Sequence, residues 1–131
     1  MSTVDTSGSR SLASAAARAA ADKKASDILV LDLGDLLGIT DFFVLASAGT
    51  QRQLGTVADE IVARLKTQGR VPERREGEAR TGWLLLDYGE IVVHVFMSEQ
   101  RAFYSLERLW ADAPAVTVDG AGEPVAVGQR R

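Results

Sequence analysis

Residues 81–110 read TGWLLLDYGEIVVHVFMSEQRAFYSLERLW. This stretch holds both tryptophans, both tyrosines and the single histidine of a 131-residue chain. Val, Ile and Leu dominate two short runs, and Asp87-Tyr88-Gly89-Glu90 separates them with turn-forming residues. The pattern predicts a β-hairpin followed by a helix. Side chains alternate across a strand, so pairing register decides which residues share a face. With Tyr88-Gly89 as a two-residue loop, Leu86 faces Ile91, Leu84 faces Val93 and Trp83 faces His94. One face is then Leu84, Leu86, Ile91, Val93 and Val95, purely aliphatic and suited to lie under helices. The other is Trp83, Leu85, Asp87, Glu90, Val92, His94 and Phe96, a mixed platform suited to a partner. A three-residue loop would instead set Trp83 beside Ile91 and Val95.

The length fits one domain with a core that needs no cross-links. There is no cysteine, which excludes disulfides and thiolate chemistry. One histidine excludes a multi-histidine metal site within one chain. No apolar run approaches the ~20 residues of a spanning helix, and no secretory signal core is visible, so a cytoplasmic protein without membrane contact is expected. The formal net charge of −3 argues against a nucleic-acid binder held mainly by phosphate contacts. An organelle transit peptide is the competing reading of the Ala-, Ser- and Arg-containing N-terminus.

Outward from the hairpin, residues 1–9 are small, polar and aperiodic and are expected to be a disordered tail. Residues 10–25 are alanine-rich without Gly or Pro, which favours helix. Strands are expected at 28–33 and 42–46. Residues 51–68 carry the strongest helical pattern: Leu54, Val57, Ala58, Ile61 and Leu65 form one stripe. Thr50 and Gln53 fit a capping box, and Gly69 a left-handed close. The mixed charges of 70–80 leave room for one edge strand around Arg74, protected from foreign pairing by its charges. Ser98 would cap a last helix with Phe103, Leu106 and Trp110 on one stripe, and residues 113–131 read as a flexible tail. The domain is therefore placed at 10–112. Helices alternating with strand pairs predict an α+β fold, a small mixed sheet packed with helices.

Several chemistries are conceivable. His94, Asp87 and Ser98 contain the residue types of a hydrolytic triad, but their spacing is not diagnostic. Asp27, Asp32, Asp35 and Asp41 raise a magnesium site, yet no Asp-x-Asp occurs anywhere, as nucleotidyl transfer requires. Gly49 before a helix start would allow an anion at residues 50–53, helped by Arg52, although an ordinary capped helix explains the same residues. P-loop and dinucleotide fingerprints are absent. Trp83, on a face shared with Asp87 and His94, is divided between core and partner anchor. For Trp110 the core reading is preferred.

A set of short motifs in fixed order resembles the ribosomal silencing factor (Iojap-like) family. They are Asp32-Leu33, Ile39-Thr40-Asp41-Phe42-Phe43-Val44, Thr50-x-Arg52-Gln53, Gly82-Trp83-x-Leu85-Leu86-Asp87-Tyr88-Gly89, Val92-Val93-His94-Val95-Phe96 and Phe103-Tyr104-x-Leu106-Glu107-x-Leu109-Trp110. Together they span about residues 12–110. The resemblance implies a nucleotidyltransferase-like fold lacking the catalytic aspartates, and neither enzymatic activity, cofactor nor metal. It implies binding to the large ribosomal subunit through its universal protein fourteen, a steric block of subunit joining, and repression of translation under nutrient limitation. Some members form homodimers, and organelle relatives act in large-subunit assembly. By match to the motifs, the contact role falls on Trp83, Asp87, His94, Tyr104 and Glu107, with Asp41 a further candidate. Trp83 would be the apolar anchor, Asp87 and Glu107 would meet Lys or Arg, and His94 and Tyr104 would add hydrogen bonds. Sequence-specific contact with nucleic acid is not expected.

Overall fold

The computed structural model describes residues 7–33 and 40–98. The last expected helix, with Tyr104, Glu107 and Trp110, and the tail after it lie outside these residues, as does Asp35. Two helices and five strands follow one another as α1 (Ser7–Asp22), β1 (Ser26–Asp32), β2 (Phe42–Ala48), α2 (Gln51–Lys66), β3 (Arg74–Glu78), β4 (Trp83–Asp87) and β5 (Ile91–Met97). A short 3₁₀ turn at Ala79–Thr81 joins β3 to β4. The strands form one sheet in the order β1-β2-β5-β4-β3. Only the β2–β5 pair is parallel. The fold is thus the mixed α+β arrangement expected.

Helix α1 begins at Ser7, inside the stretch expected to be tail, and stops at Asp22 rather than at residue 25. Its alanines explain the close docking. Ala13, Ala16, Ala17 and Ala20 are fully buried, and side chains this small let the helix lie close to α2 and the sheet. Helix α2 buries the full stripe of Leu54, Val57, Ala58, Ile61 and Leu65. Each large side chain so buried contributes roughly 1.5–3 kcal/mol before chain entropy is subtracted. Gly69 closes the helix at φ +79, with its N–H on the Lys66 carbonyl and the Arg70 N–H on that of Leu65. This is the expected left-handed cap.

The start of α2 differs in one bond. Thr50 Oγ1 accepts from the Gln53 N–H at 3.0 Å as predicted. The Gln53 side chain does not return to Thr50. Its Oε1 accepts from the Gly49 N–H at 2.8 Å, and its Nε2 donates to the carbonyls of Lys23 and Lys24 at 3.1 and 2.9 Å. Gln53 therefore ties the β2–α2 turn to the α1–β1 turn, where Lys24 takes a left-handed φ of 69°.

The hairpin register is the main correction. Tyr88 pairs with Ile91 through its N–H to the Ile91 carbonyl, so Gly89-Glu90 forms the loop rather than Tyr88-Gly89. Leu86 faces Val93, Leu84 faces Val95, and Trp83 faces Phe96 instead of His94. The slip is two residues, so the division into faces survives. Two local causes are visible. Asp87 Oδ1 accepts from the Gly89 N–H at 2.8 Å, and Gly89 at φ +88 supplies the conformation a tight hairpin loop demands. The gain is burial of Tyr88 beside Leu86 and Ile91, all fully inside. An aromatic ring of that size contributes more in a core than at a loop tip.

Arg10 of α1 stacks over the Phe42 ring at 5.5 Å and meets Asp32 at 3.7 Å. Phe42 pairs with Ile91 in the parallel ladder, so α1, and α2 packed on it, cover the aliphatic face of the hairpin. That face, with Phe42, Val44 and Ala46, forms the core.

Candidate functional site

The opposite face of the sheet is built by side chains that alternate with the core set. Register places Leu31 beside Phe43, Phe43 beside Val92, Leu45 beside His94, His94 beside Leu85, and Phe96 beside Trp83. Among the described residues no helix packs on this side. Trp83, Leu85, Asp87, Phe43 and Val92 are half-buried, whereas Leu45, Phe96 and His94 are buried.

His94 lies at the centre of an aromatic nest. Phe43 meets it edge-on with ring centroids 4.8 Å apart, Phe96 stacks at 5.8 Å, and Trp83 stacks at 6.4 Å. Trp83 also stacks on Phe96 at 6.4 Å. Contacts of this kind contribute about 0.5–1.5 kcal/mol each beyond area burial. The Trp83 indole N–H donates to His94 Nδ1 across 3.5 Å, a long bond. That donor makes Nδ1 the acceptor and leaves the imidazole proton on Nε2. Nε2 is buried and has no hydrogen-bond partner among the described residues. Burial pushes the His94 pKa down to about 4, so the ring is neutral at physiological pH.

Asp87 sits one diagonal step from His94 on the same face, next to the hairpin turn. It accepts from the Gly89 N–H and, at 3.4 Å, from Arg74. Asp41 stands apart, at the entry to β2, where the Ser9 hydroxyl donates to its Oδ2 at 2.8 Å. The structure thus brings Trp83, His94 and Asp87 onto one surface and leaves Asp41 at its end.

The triad arrangement does not form. The Ser98 hydroxyl donates to the Ala48 carbonyl at 3.3 Å, and His94 Nδ1 is taken by Trp83. Among the described residues no group of three or more acidic, His or Cys side chains could hold a metal ion. No helix among them is long and apolar enough to cross a membrane.

The hairpin reading places Phe96 on this face, whereas Phe43 and Leu45 are not assigned to it. Those two reach the surface only through the β2–β5 ladder, which joins strands about fifty residues apart. The alternation of Phe42 to Ala48 was the one signal that could have revealed them.

Sequence comparison assigns the chain. A profile described as "Ribosomal silencing factor during starvation" matches residues 6–131. The chain belongs to the ribosomal silencing factor family. Among family members, a ribosomal silencing factor of Halalkalibacterium halodurans is 38% identical over 105 residues, covering 80% of this chain and 90% of that protein. One from Bacillus subtilis is 36% identical over 110 residues, covering 84% and 93%. The chloroplastic protein Iojap of Zea mays is 35% identical, covering 81% of this chain and 46% of its own longer sequence. A crystal structure from Bacillus halodurans superposes with a TM-score of 0.70 at 34% identity, covering 83% of this chain and 99% of that one. One from Chromobacterium violaceum gives 0.74 at 29% identity, covering 89% and 98%.

Proposed function

We propose that the chain represses translation by occupying the large ribosomal subunit, through its universal protein fourteen, at the surface the small subunit needs. The action is steric and requires no catalytic group. The supporting observation is the face around Trp83: a half-buried indole beside Leu85 and Val92, backed by buried His94 and Phe96, with Asp87 at its edge. Apolar anchors flanked by charge provide affinity and orientation together. A basic ribosomal protein suits Asp87, and Glu107 and Tyr104 would extend the same contact. A second copy of the chain using this face would compete with the ribosome, so homodimerisation would store the factor in an inactive form. Members of a family named for ribosome silencing support the assignment.

Co-sedimentation with separated subunits, followed by addition of the small subunit, tests the reading. Wild type is expected to pellet with the large subunit and to prevent joining. Binding without an effect on joining would move the role to subunit assembly. Trp83→Ala is expected to keep its circular dichroism and lose about 2 kcal/mol or more of binding, roughly thirtyfold in affinity. A folded Trp83→Ala chain that pellets like wild type would remove the indole from the contact.

A further inference from the structure

Arg10, Arg64, Arg70, Arg74, Arg75 and Arg80 each have an acidic partner within the chain. Lys23, Lys24 and Arg52 have none among the described residues, and all three are exposed. They converge although they are separated in sequence. Gln53, next to Arg52, holds the carbonyls of both lysines through its Nε2, which fixes the α1–β1 turn against the first turn of α2.

Three further features belong to this corner. The first turn of α2 contains no acidic residue, and Arg52 stands there against the positive end of the helix dipole. Thr50 satisfies the N–H groups of Gln53 and Leu54, which leaves the amides of Gln51 and Arg52 open. Large apolar side chains are absent from it, since the exposed one among the described residues is Val71, beyond the other end of α2.

Sheet register relates the corner to the aromatic face. Ser26, which follows the lysine turn, pairs with Ser47; Ser47 pairs with Phe96; Phe96 pairs with Trp83. Three strand spacings of about 4.8 Å put the lysine turn roughly 15 Å from Trp83 at the same end of the sheet. From α2, which lies over the other face of the sheet, Gln51 Nε2 donates to the Arg80 carbonyl at 3.4 Å, just before β4. Asp32, Asp41, Asp87 and Glu90 gather at the opposite end. There Asp32, Asp87 and Glu90 are paired with Arg10, Arg74 and Arg70, whereas Lys23, Lys24 and Arg52 form no ion pair among the described residues although Asp22 and Asp27 flank the lysine turn in sequence.

The geometry points to a second contact at this corner, in which Lys23, Lys24 and Arg52 dock on the phosphate backbone of ribosomal RNA beside the protein that the Trp83 face binds. This rests on the ribosome reading above. Flexible ammonium groups, a guanidinium and open helix amides suit phosphate oxygens, and they impose no base sequence. An acidic peptide would want apolar anchors that the corner lacks. Such a contact would orient the factor on the subunit while the aromatic face supplies most of the affinity.

The test measures co-sedimentation of the full chain with large subunits across a salt series, for wild type, for Trp83→Ala and for the triple variant Lys23→Gln/Lys24→Gln/Arg52→Gln. Each phosphate contact contributes about 0.7–0.9 to the slope of log affinity against log salt. The triple variant is expected to bind at least tenfold more weakly at low salt, with a slope shallower by about 2. Trp83→Ala should weaken binding with the slope unchanged. A triple variant with wild-type affinity and slope would overturn the proposal while leaving the ribosome reading intact. If wild type does not bind subunits at all, the ribosome reading fails, and anisotropy with a labelled RNA hairpin decides the corner on its own. Equal binding of the hairpin by wild type and triple variant, or preference for a polyglutamate peptide, would overturn it; loss of hairpin binding in the triple variant alone would uphold it.

Discussion

Lowering the pH from 7 to 5 should destabilise this protein by an amount traceable to one side chain. His94 is 8% exposed among Phe43, Trp83 and Phe96, and burial holds its folded pKa at about 4 against an ordinary 6.5. The unfolded chain therefore binds the proton more readily than the folded one, and the stability linked to His94 is fully present above about pH 6.5. It declines as pH falls through that value and is exhausted near pH 4. The difference between the two pKa values corresponds to roughly 3 kcal/mol in full, of which about 2 kcal/mol is lost between pH 7 and pH 5. Urea denaturation at the two pH values reads this directly. With a slope of about 1–3 kcal/mol per molar, the midpoint should fall by about 1 M. His94→Gln keeps a side-chain donor and cannot titrate, so its midpoint should be nearly level across the same range. Glu90, whose carboxyl is lowered by its Arg70 hydrogen bonds, titrates below the window and does not blur it. An equal pH dependence in the two proteins, or an imidazole that titrates near 6.5 in the folded state by NMR, would refute the buried neutral histidine.

Two further perturbations probe the frame that holds the face. Gly77 sits in β3 at φ +84, and an added Cβ would lie 2.3 Å from the Trp83 carbonyl oxygen. Gly77→Ala should cost about 2 kcal/mol or more and lower Tm by roughly 8 °C or more; an unchanged melting curve would mean the strand moves freely. Arg70 forks onto Glu90 at 3.0 and 2.8 Å and donates to the Tyr88 carbonyl at 3.1 Å, clamping the loop after α2 to the hairpin. Both ion-pair partners are a third exposed, so Arg70→Gln should cost only about 1 kcal/mol. Because the pair depresses the Glu90 pKa, its stabilisation is present above the ordinary 4.5 and vanishes as pH falls below it. Variant and wild-type urea midpoints should accordingly converge in acid, and a gap that persists there would assign the loss to the Tyr88 carbonyl bond instead.

Local pattern carried much of this fold. The α2 stripe was legible because five apolar positions at helical spacing had no rival reading, and all five are buried. The two hairpin faces were legible because side-chain alternation survives a two-residue slip. The register itself was not, since it depends on whether Tyr88 is worth more in the loop or in the core, and a core exists only once α2 has docked. The exit of Gln53 from its capping box was equally hidden. Its partners, the Lys23 and Lys24 carbonyls, lie about thirty residues earlier and become accessible only after α1 and α2 pack. For the candidate site, Trp83, His94 and Asp87 share a face as expected, but the edge-on Phe43 ring and Leu45 beside His94 are brought in by the parallel β2–β5 ladder. Tyr104 and Glu107 fall outside the described residues.

The state of His94 bears on what the face is for. Among the described residues the His94 Nε2–H has no acceptor; a buried donor left so costs about 1–3 kcal/mol, and the stacked rings around it offset that cost without removing it. The Trp83 indole, half exposed, spends its own N–H on a 3.5 Å bond to the same ring. A surface optimised only for stability would replace His94 with an apolar side chain, because Leu45, Leu85 and Phe96 already surround the position. His94 Nε2 is closed to solvent, so a docking partner can supply the missing acceptor only by displacing the side chains over it; a bond completed in that way would raise affinity and reject partners that lack the acceptor. On the docking proposed, His94→Phe should separate the two effects, with a chain at least as stable as wild type at pH 7 that nevertheless binds the large subunit more weakly. If His94→Phe gained stability and bound as well as wild type, the histidine would be a packing residue and recognition would fall to Trp83 and Asp87.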